Sequence, residues 1–275
     1  MRPVAVCGSV NMDVFGYVQR LPRPGETVLG SRLAYAPGGK GANQAVAAAR
    51  AGAPVRFFGA CGRDANGDQA LAALADAGVG ISDVARRRDP TGVAMILVED
   101  TGENVIVAIP GANAQIAPPP RVDAAVWLTQ GEVPPAAVEG TLAAARAAGA
   151  TAIVNPAPAG RLPASLVARF DIAVVNETEL ATLDGEHPPA VVLTLGRRGV
   201  RLLPADTELA PFPAAAVDST GAGDALIGAM AAALAEGRRL AEAVRFGMAA
   251  AALSVERPGA QPAMPHRAEI ERLLG

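Results

Sequence analysis

Asp218-Ser219-Thr220-Gly221-Ala222-Gly223-Asp224 runs without a break into Ala225-Leu226-Ile227-Gly228-Ala229-Met230, a loop of acid, hydroxyl and glycine leading into an apolar helix. The N-terminus of such a helix has unpaired N–H groups and a partial positive charge, so it attracts anions. Gly221 and Gly223 let a phosphate come close to the backbone and let the chain turn sharply. Asp224 falls in the first helical turn, where a carboxylate beside a bound phosphate can take a proton from an attacking hydroxyl. An ordinary loop capped by Ser219 or Thr220, with Asp224 complementing the dipole, also accounts for the run alone. The rest of the chain decides between them.

On either side, strand-like apolar runs alternate with Ala-rich stretches. The pattern predicts strands at 4–9, 55–60, 125–129, 151–154, 172–175 and 190–194. It predicts helices at 42–51, 66–77, 135–148, 178–183, 222–235, 240–253 and 266–273. Such alternation implies an α/β fold, a doubly wound and mainly parallel sheet with helices on both faces. Ligands of such sheets sit at the carboxyl ends of the strands. Residues 14–36 and 91–109 break the pattern with strands and turns only: Thr27–Gly30, Gly92–Val98 and Asn104–Ile109. Both leave the sheet at its ligand-binding end, so they are expected to form a small β lid on a single domain spanning 1–275. A lid that excludes water suits phosphoryl transfer, where hydrolysis competes; a hairpin without that role fits the pattern as well.

Composition narrows the partners. The 275 residues are 51% hydrophobic and 19% charged with net charge −3, which gives no reason to expect nucleic acid or an anionic membrane. No apolar run approaches the roughly 20 residues of a membrane span. Cys7 and Cys61 lie in apolar strands, and the chain opens on a strand without a signal-peptide pattern, so a reducing cytoplasm is the expected setting. His187 and His266 are the only histidines, which disfavours a Cys/His metal site.

Of 24 basic residues only Lys40 is a lysine. In a chain that otherwise uses arginine, a lone ammonium points to a site that a planar guanidinium does not fit, against the alternative of a chance surface lysine. Lys40 is followed by Gly41, so it belongs to no Walker A loop, and no other lysine exists for a protein-kinase strand. Gly38-Gly39-Lys40-Gly41-Ala42-Asn43-Gln44 is a second glycine loop entering a helix, with Lys40 and Asn43 on one face of its first turn. Asn11 and Asp13, two apart in extended chain, share a side and can offer an amide and a carboxylate to a polyol; an Asx turn is the plainer use of such a pair. Glu132 ends a strand. Asn176 and Glu179 have the spacing of a capping box, and equally of a carboxylate organising Mg²⁺ and its waters. Thr194-Leu195-Gly196-Arg197-Arg198-Gly199 closes a strand with a glycine turn suited to nucleotide phosphates.

These segments, together with Gly8–Asp13, Pro24–Thr27, Gly111-Ala112-Asn113, Asn155-Pro156-Ala157-Pro158 and Gly259-Ala260-Gln261-Pro262, resemble the PfkB carbohydrate-kinase family from end to end. That family phosphorylates sugars and nucleosides with ATP, and the loop at 38–45 with Asn11 and Asp13 leans to the branch that makes D-ribose 5-phosphate. The resemblance implies that Asn11, Asp13, Gly39, Lys40, Asn43 and Glu132 hold the sugar and that Asp224 is the base. Gly221, Ala222 and Gly223 would form the anion hole. Asn176, Glu179, Thr194, Gly196 and Gly199, with Gly223, would serve the nucleotide and its Mg²⁺, which Glu179 would hold through water. An activating K⁺ would sit on Asp218, Thr220, Ser254, Arg257 and Gly259, mostly through carbonyls. Ala263 departs from the serine common in that cation loop, Met248 from the His or Asn common near the adenine, and Ala225-Leu226 from Thr-Phe after the base. Residues 180–193 are short of a helix that relatives usually fit there, which implies less cover over the nucleotide and weaker ATP binding.

Rival readings are a sister kinase for another pentose, a fructose derivative or a nucleoside, and a sugar sensor without catalysis. Six Phe, two Tyr and one Trp leave little to stack on a nucleobase, and the intact Gly221, Gly223 and Asp224 oppose the sensor. A dinucleotide oxidoreductase is disfavoured, because no G-x-G-x-x-G follows the first strand. A lid of exposed strands needs a partner for its edges, so a homodimer through the lid is expected.

Overall fold

Strands buried on both faces must be apolar at every position, and the first strand shows why the sheet is covered twice. Val4 and Val6 pack into one core cluster with the helices on one face, while Ala5 and Cys7 pack into a second cluster on the other. The computed structural model describes residues 1–275. In chain order the strands are β1 Val4–Cys7, β2 Asn11–Val18, β3 Gly30–Gly38, β4 Val55–Gly62, β5 Val79–Gly80, β6 Val84–Arg87 and β7 Gly92–Glu99. They continue as β8 Asn104–Ile109, β9 Val126–Gln130, β10 Thr151–Asn155, β11 Ile172–Asn176, β12 Ala190–Thr194, β13 Val200–Leu203 and β14 Thr207–Leu209. The helices are α1 Lys40–Arg50, α2 Ala65–Asp76, α3 Pro135–Ala148, α4 Ala164–Val167, α5 Glu177–Ala181, α6 Ala222–Ala235, α7 Leu240–Ser254 and α8 Arg267–Leu274.

The large sheet has the order β14-β13-β12-β11-β10-β9-β1-β4-β5, with β6 also against β4. All neighbours from β12 to β5 are parallel, as the alternating pattern predicts. The antiparallel hairpin β13–β14 extends one edge. Its two strands have only four and three residues, too short for a periodic signal. α1, α2, α6, α7 and α8 cover one face, and α3 and α4 the other.

A second sheet of order β3-β2-β7-β8 is separate, and it is the lid. It is slightly wider than the sequence suggests, because β2 starts at Asn11 and β3 runs to Gly38. Thr27–Leu29, expected as a strand, lie outside it: β3 begins at Gly30, and Leu29 is 93% exposed with no sheet neighbour to cover it. No helix is long and apolar enough to cross a membrane. Cys7 and Cys61 are buried free thiols.

Candidate active site

The helices α1 and α6 set the site. Gly228 lies one turn beyond Asp224, and a Cβ there would fall 2.3 Å from the Gln44 carbonyl oxygen, so only glycine allows this approach. The close packing brings the first turn of α6 against the first turn of α1. Asn43 Nδ2 donates to Asp224 Oδ2 at 3.1 Å, and Gln44 Nε2 donates to Asp224 Oδ1 at 2.9 Å. Asp224 is buried. Burial pushes its carboxyl up, Lys40 and the Gln44 and Asn43 amides pull it down without cancelling that, and Glu132 adds to the rise.

Asp224 follows a turn whose Gly221 is in the left-handed region at φ 74 and caps α6 without a side-chain bond. Neither Ser219 nor Thr220 caps the helix. Instead, Asp218 ties two loops together: its Oδ1 accepts from Thr220 N–H at 2.9 Å and its Oδ2 from Gly259 N–H at 2.7 Å. The Ala222 N–H donates to Ser219 at 3.2 Å, while the N–H groups of Gly221 and Gly223 donate to no protein acceptor. The Asp224 N–H likewise donates to no protein acceptor, so three free amides remain at the mouth of α6 for an anion.

Lys40 opens α1. Burial pulls its ammonium down, but the carboxylates of Asp224, Glu132, Glu179 and Asp13 outweigh burial and hold it above its usual value. Glu132 fixes the start of that helix: its Oε2 accepts from Ser9 Oγ at 2.5 Å and from the Lys40 N–H at 3.1 Å. The other carboxylate oxygen is left for a ligand.

From the lid, β2 brings Asn11 and Asp13 in on one side. Asn113, which sequence reasoning placed in a motif without a role, donates to Asn11 Oδ1 at 2.7 Å. It also clamps both backbone groups of Val10, where the chain leaves the large sheet for the lid. With its oxygen engaged, Asn11 presents N–H donors to the cleft. Burial, then the charges of Glu132 and Asp224, raise the Asp13 carboxyl to about 7 against the opposing pull of Lys40.

That value sets a pH prediction. With its carboxyl at about 7, Asp13 passes from mostly protonated to mostly ionised, and so to a pure acceptor of hydroxyls, through neutral pH. The kcat/KM for the hydroxylated substrate should therefore rise through neutral pH, and Asp13→Asn should remove that limb while raising KM. In the unfolded chain the carboxyl titrates near about 4. Its ionisation in the fold thus costs stability that accumulates from about pH 4 up to 7 and is fully felt above. Asp13→Asn should raise Tm at pH 8, with the gain shrinking as pH falls toward 4. A Tm unchanged at pH 8 would contradict this electrostatic picture.

Next to the free amides of α6 opens a cleft of about 720 Å³ lined by Thr194, Gly196, Gly199, Gly223 and the apolar Phe212, Met248 and Val255. Asn176 and Glu179 do not line it. They form the capping box of α5, with Glu179 Oε2 accepting from Asn176 N–H at 3.0 Å. Glu179 keeps one oxygen and faces Lys40. Among the five cation candidates, the carbonyl oxygens of Asp218, Thr220, Arg257 and Gly259 accept no hydrogen bond, whereas that of Ser254 accepts from Arg257 N–H. The side chains of Ser254 and Arg257 are engaged by Ala251 and Glu269.

A buried acid at a helix N-terminus, between a polar cleft under a lid and a cleft of nucleotide size, is the arrangement of a phosphoryl-transfer site. The family model for pfkB family carbohydrate kinases matches residues 1–267. The chain belongs to that family. A ribokinase of Bacillus subtilis is 38% identical over an alignment covering 100% of both chains. A ribokinase of Haemophilus influenzae is 35% identical, over 99% of this chain and 98% of that one. The structure of Arabidopsis thaliana ribokinase complexed with ribose and ATP superposes with a TM-score of 0.90 at 33% identity, covering 99% of this chain and 98% of that chain. As a pfkB-family carbohydrate kinase, the protein is an ATP-dependent enzyme.

Proposed function

We propose that the protein acts as a ribokinase, transferring the γ-phosphoryl group of ATP to the 5-hydroxyl of D-ribose. One observation carries the reading. Asp224 is held by two amides at the point where the lid strand bearing Asn11 and Asp13 meets the cleft lined by Gly196, Gly199 and Gly223. Asn11 donates to and Asp13 accepts from the sugar hydroxyls, and Gly39, Asn43 and the free oxygen of Glu132 border the same ring. Asp224 takes the proton of the 5-hydroxyl as its oxygen attacks phosphorus in line and the bond to the β-phosphate oxygen breaks. The N–H groups of Gly221 and Gly223 and the Lys40 ammonium stabilise the charge spreading over the transferred group. Thr194, Gly196 and Gly199 hold the phosphates and Phe212 and Met248 flank the base.

When bound with the nucleotide, Mg²⁺ supplies charge neutralisation at the β- and γ-phosphates, and Glu179 would hold it through water by its free oxygen. The unengaged carbonyls of Asp218, Thr220, Arg257 and Gly259 fit a monovalent cation such as K⁺, which would add a fixed charge beside the anion-hole loop. Body and lid work as one domain over 1–275, and the two buried thiols suit a reducing cytoplasm. The test is a panel of ribose, other pentoses, fructose derivatives and nucleosides in a coupled ADP-release assay. Ribose is expected to give the highest kcat/KM, and a nucleoside or fructose derivative exceeding it would replace the assignment.

The lid also supports a homodimer. Asp13 faces the body, so by strand alternation Val14, Tyr35, Met95 and Val107, aligned across the sheet, face away. Tyr35, Met95 and Val107 are 57%, 52% and 59% exposed, with Leu33, Val105 and Ile109 extending the same apolar face. A second copy would cover it. Light scattering at micromolar concentration should give twice 27.7 kDa, and Val107→Asp should give the single mass. A monomeric parent chain would refute the dimer.

A further inference from the structure

Gln44 is fully buried, and every hydrogen-bonding atom of its amide is engaged. The orientation of the chain of amides behind it is fixed from one end. The Val174 carbonyl of β11 can only accept, so Asn155 Nδ2 donates to it, at 2.9 Å. That turns Asn155 Oδ1 toward Gln44 Nε2, at 3.3 Å. Gln44 Nε2 gives its other hydrogen to Asp224 Oδ1 at 2.9 Å, and Gln44 Oε1 accepts from Gln130 Nε2 at 2.8 Å. Three neighbouring strands, β9, β10 and β11, thus lock one side chain of α1, and that side chain holds the acid of α6.

We infer that Gln44 is a positioning residue for phosphoryl transfer: it pins Asp224 Oδ1 and thereby aims Oδ2 at the substrate hydroxyl. This rests on the reading of Asp224 as the base. The two amides on Asp224 differ in kind. Asn43 Nδ2 sits on Oδ2 and has a hydrogen free for a ligand, while its Oδ1 accepts from Gln261 Nε2 at 3.1 Å. Gln44 has no hydrogen free, and its two partners other than Asp224, Gln130 and Asn155, belong to the sheet and hold it in place. A carboxylate gripped at one oxygen by a rigid donor retains one orientation, and phosphoryl transfer depends on such positioning. The charged groups facing Asp224 are Lys40 on α1, Glu132 after β9 and Asp13 on β2. None of them fixes the plane of the carboxylate, since none is hydrogen-bonded to it.

Gln44→Met keeps the length and removes the donor. It should lower kcat about tenfold or more while the KM for ribose stays within about threefold. The lost N–H also stabilised the ionised form of Asp224, so the acidic limb of kcat against pH should move to higher pH. In the Asp224→Asn background there is no carboxylate to aim, and Gln44→Met should then cost nothing further in single-turnover rate. Should Gln44→Met not fold, Gln130→Met, one bond further back, should show the same split of kcat from KM at smaller size. An equal loss with and without Asp224, an unmoved acidic limb, or a change confined to KM would overturn the role. Failure of the Asp224 assignment itself would be distinct, because Asp224→Asn alone would then retain kcat.

Discussion

Asp224→Asn is expected to lower kcat by about 10²–10⁴-fold, the usual worth of a positioned general base, with the KM for sugar nearly unchanged. The carboxamide fills the same space on α6 and can still accept from Gln44 at one atom. It cannot take the proton of the attacking hydroxyl. Its neighbours argue that the loss is chemical: Asp224 is buried, its carboxyl is pushed up by that burial, and Lys40 faces it. A buried acid of raised proton affinity is a better proton acceptor than an exposed one, provided a nearby cation keeps it ionised at neutral pH. Loss of less than about tenfold in kcat would remove Asp224 from the role of base.

Lys40→Arg should cost at least tenfold in kcat/KM with Tm almost unmoved. Charge is kept and arginine is the chain's default cation, so a surface role predicts no effect. The surroundings predict otherwise. The Lys40 N–H is tied to Glu132, and a Cβ at Gly41 would meet the Gly8 Cα at 2.4 Å, so the start of α1 has no freedom to retreat from a larger head group. The ammonium lies among the carboxylates of Asp224, Glu132, Glu179 and Asp13. A broader planar guanidinium would displace at least one of them or the phosphate, and a shift of about 1 Å can cost on the order of 10²-fold. Activity of the parent level in this variant would make the lone lysine an accident of composition.

What was legible in the sequence was what is local in the sequence. The loops at 38–45 and 218–224 announce themselves because glycines, charge and helix start fall within a few residues. The parallel sheet was legible because each central strand is apolar at successive positions. The hairpin β13–β14 was not, since its short strands alternate with charged Arg201 and Glu208 that pair with each other. Thr27–Leu29 read as a strand by composition, but no neighbouring strand receives them. The amide chain behind Asp224 was illegible for a different reason. Gln44, Gln130 and Asn155 stand on three elements and meet across 86 and 111 residues of chain, where spacing has no information. The Asn176–Glu179 spacing allowed a cap or a metal role, and the cap is formed, with one oxygen over.

The most direct test of the account is the fate of the phosphoryl group when the protein is given ATP, Mg²⁺ and D-ribose. Phosphorus NMR of the product should show one phosphate ester at the 5-oxygen for each ADP formed, and no ADP should form when ribose is withheld. A phosphate on the anomeric oxygen, or ADP release that does not need the sugar, would contradict it.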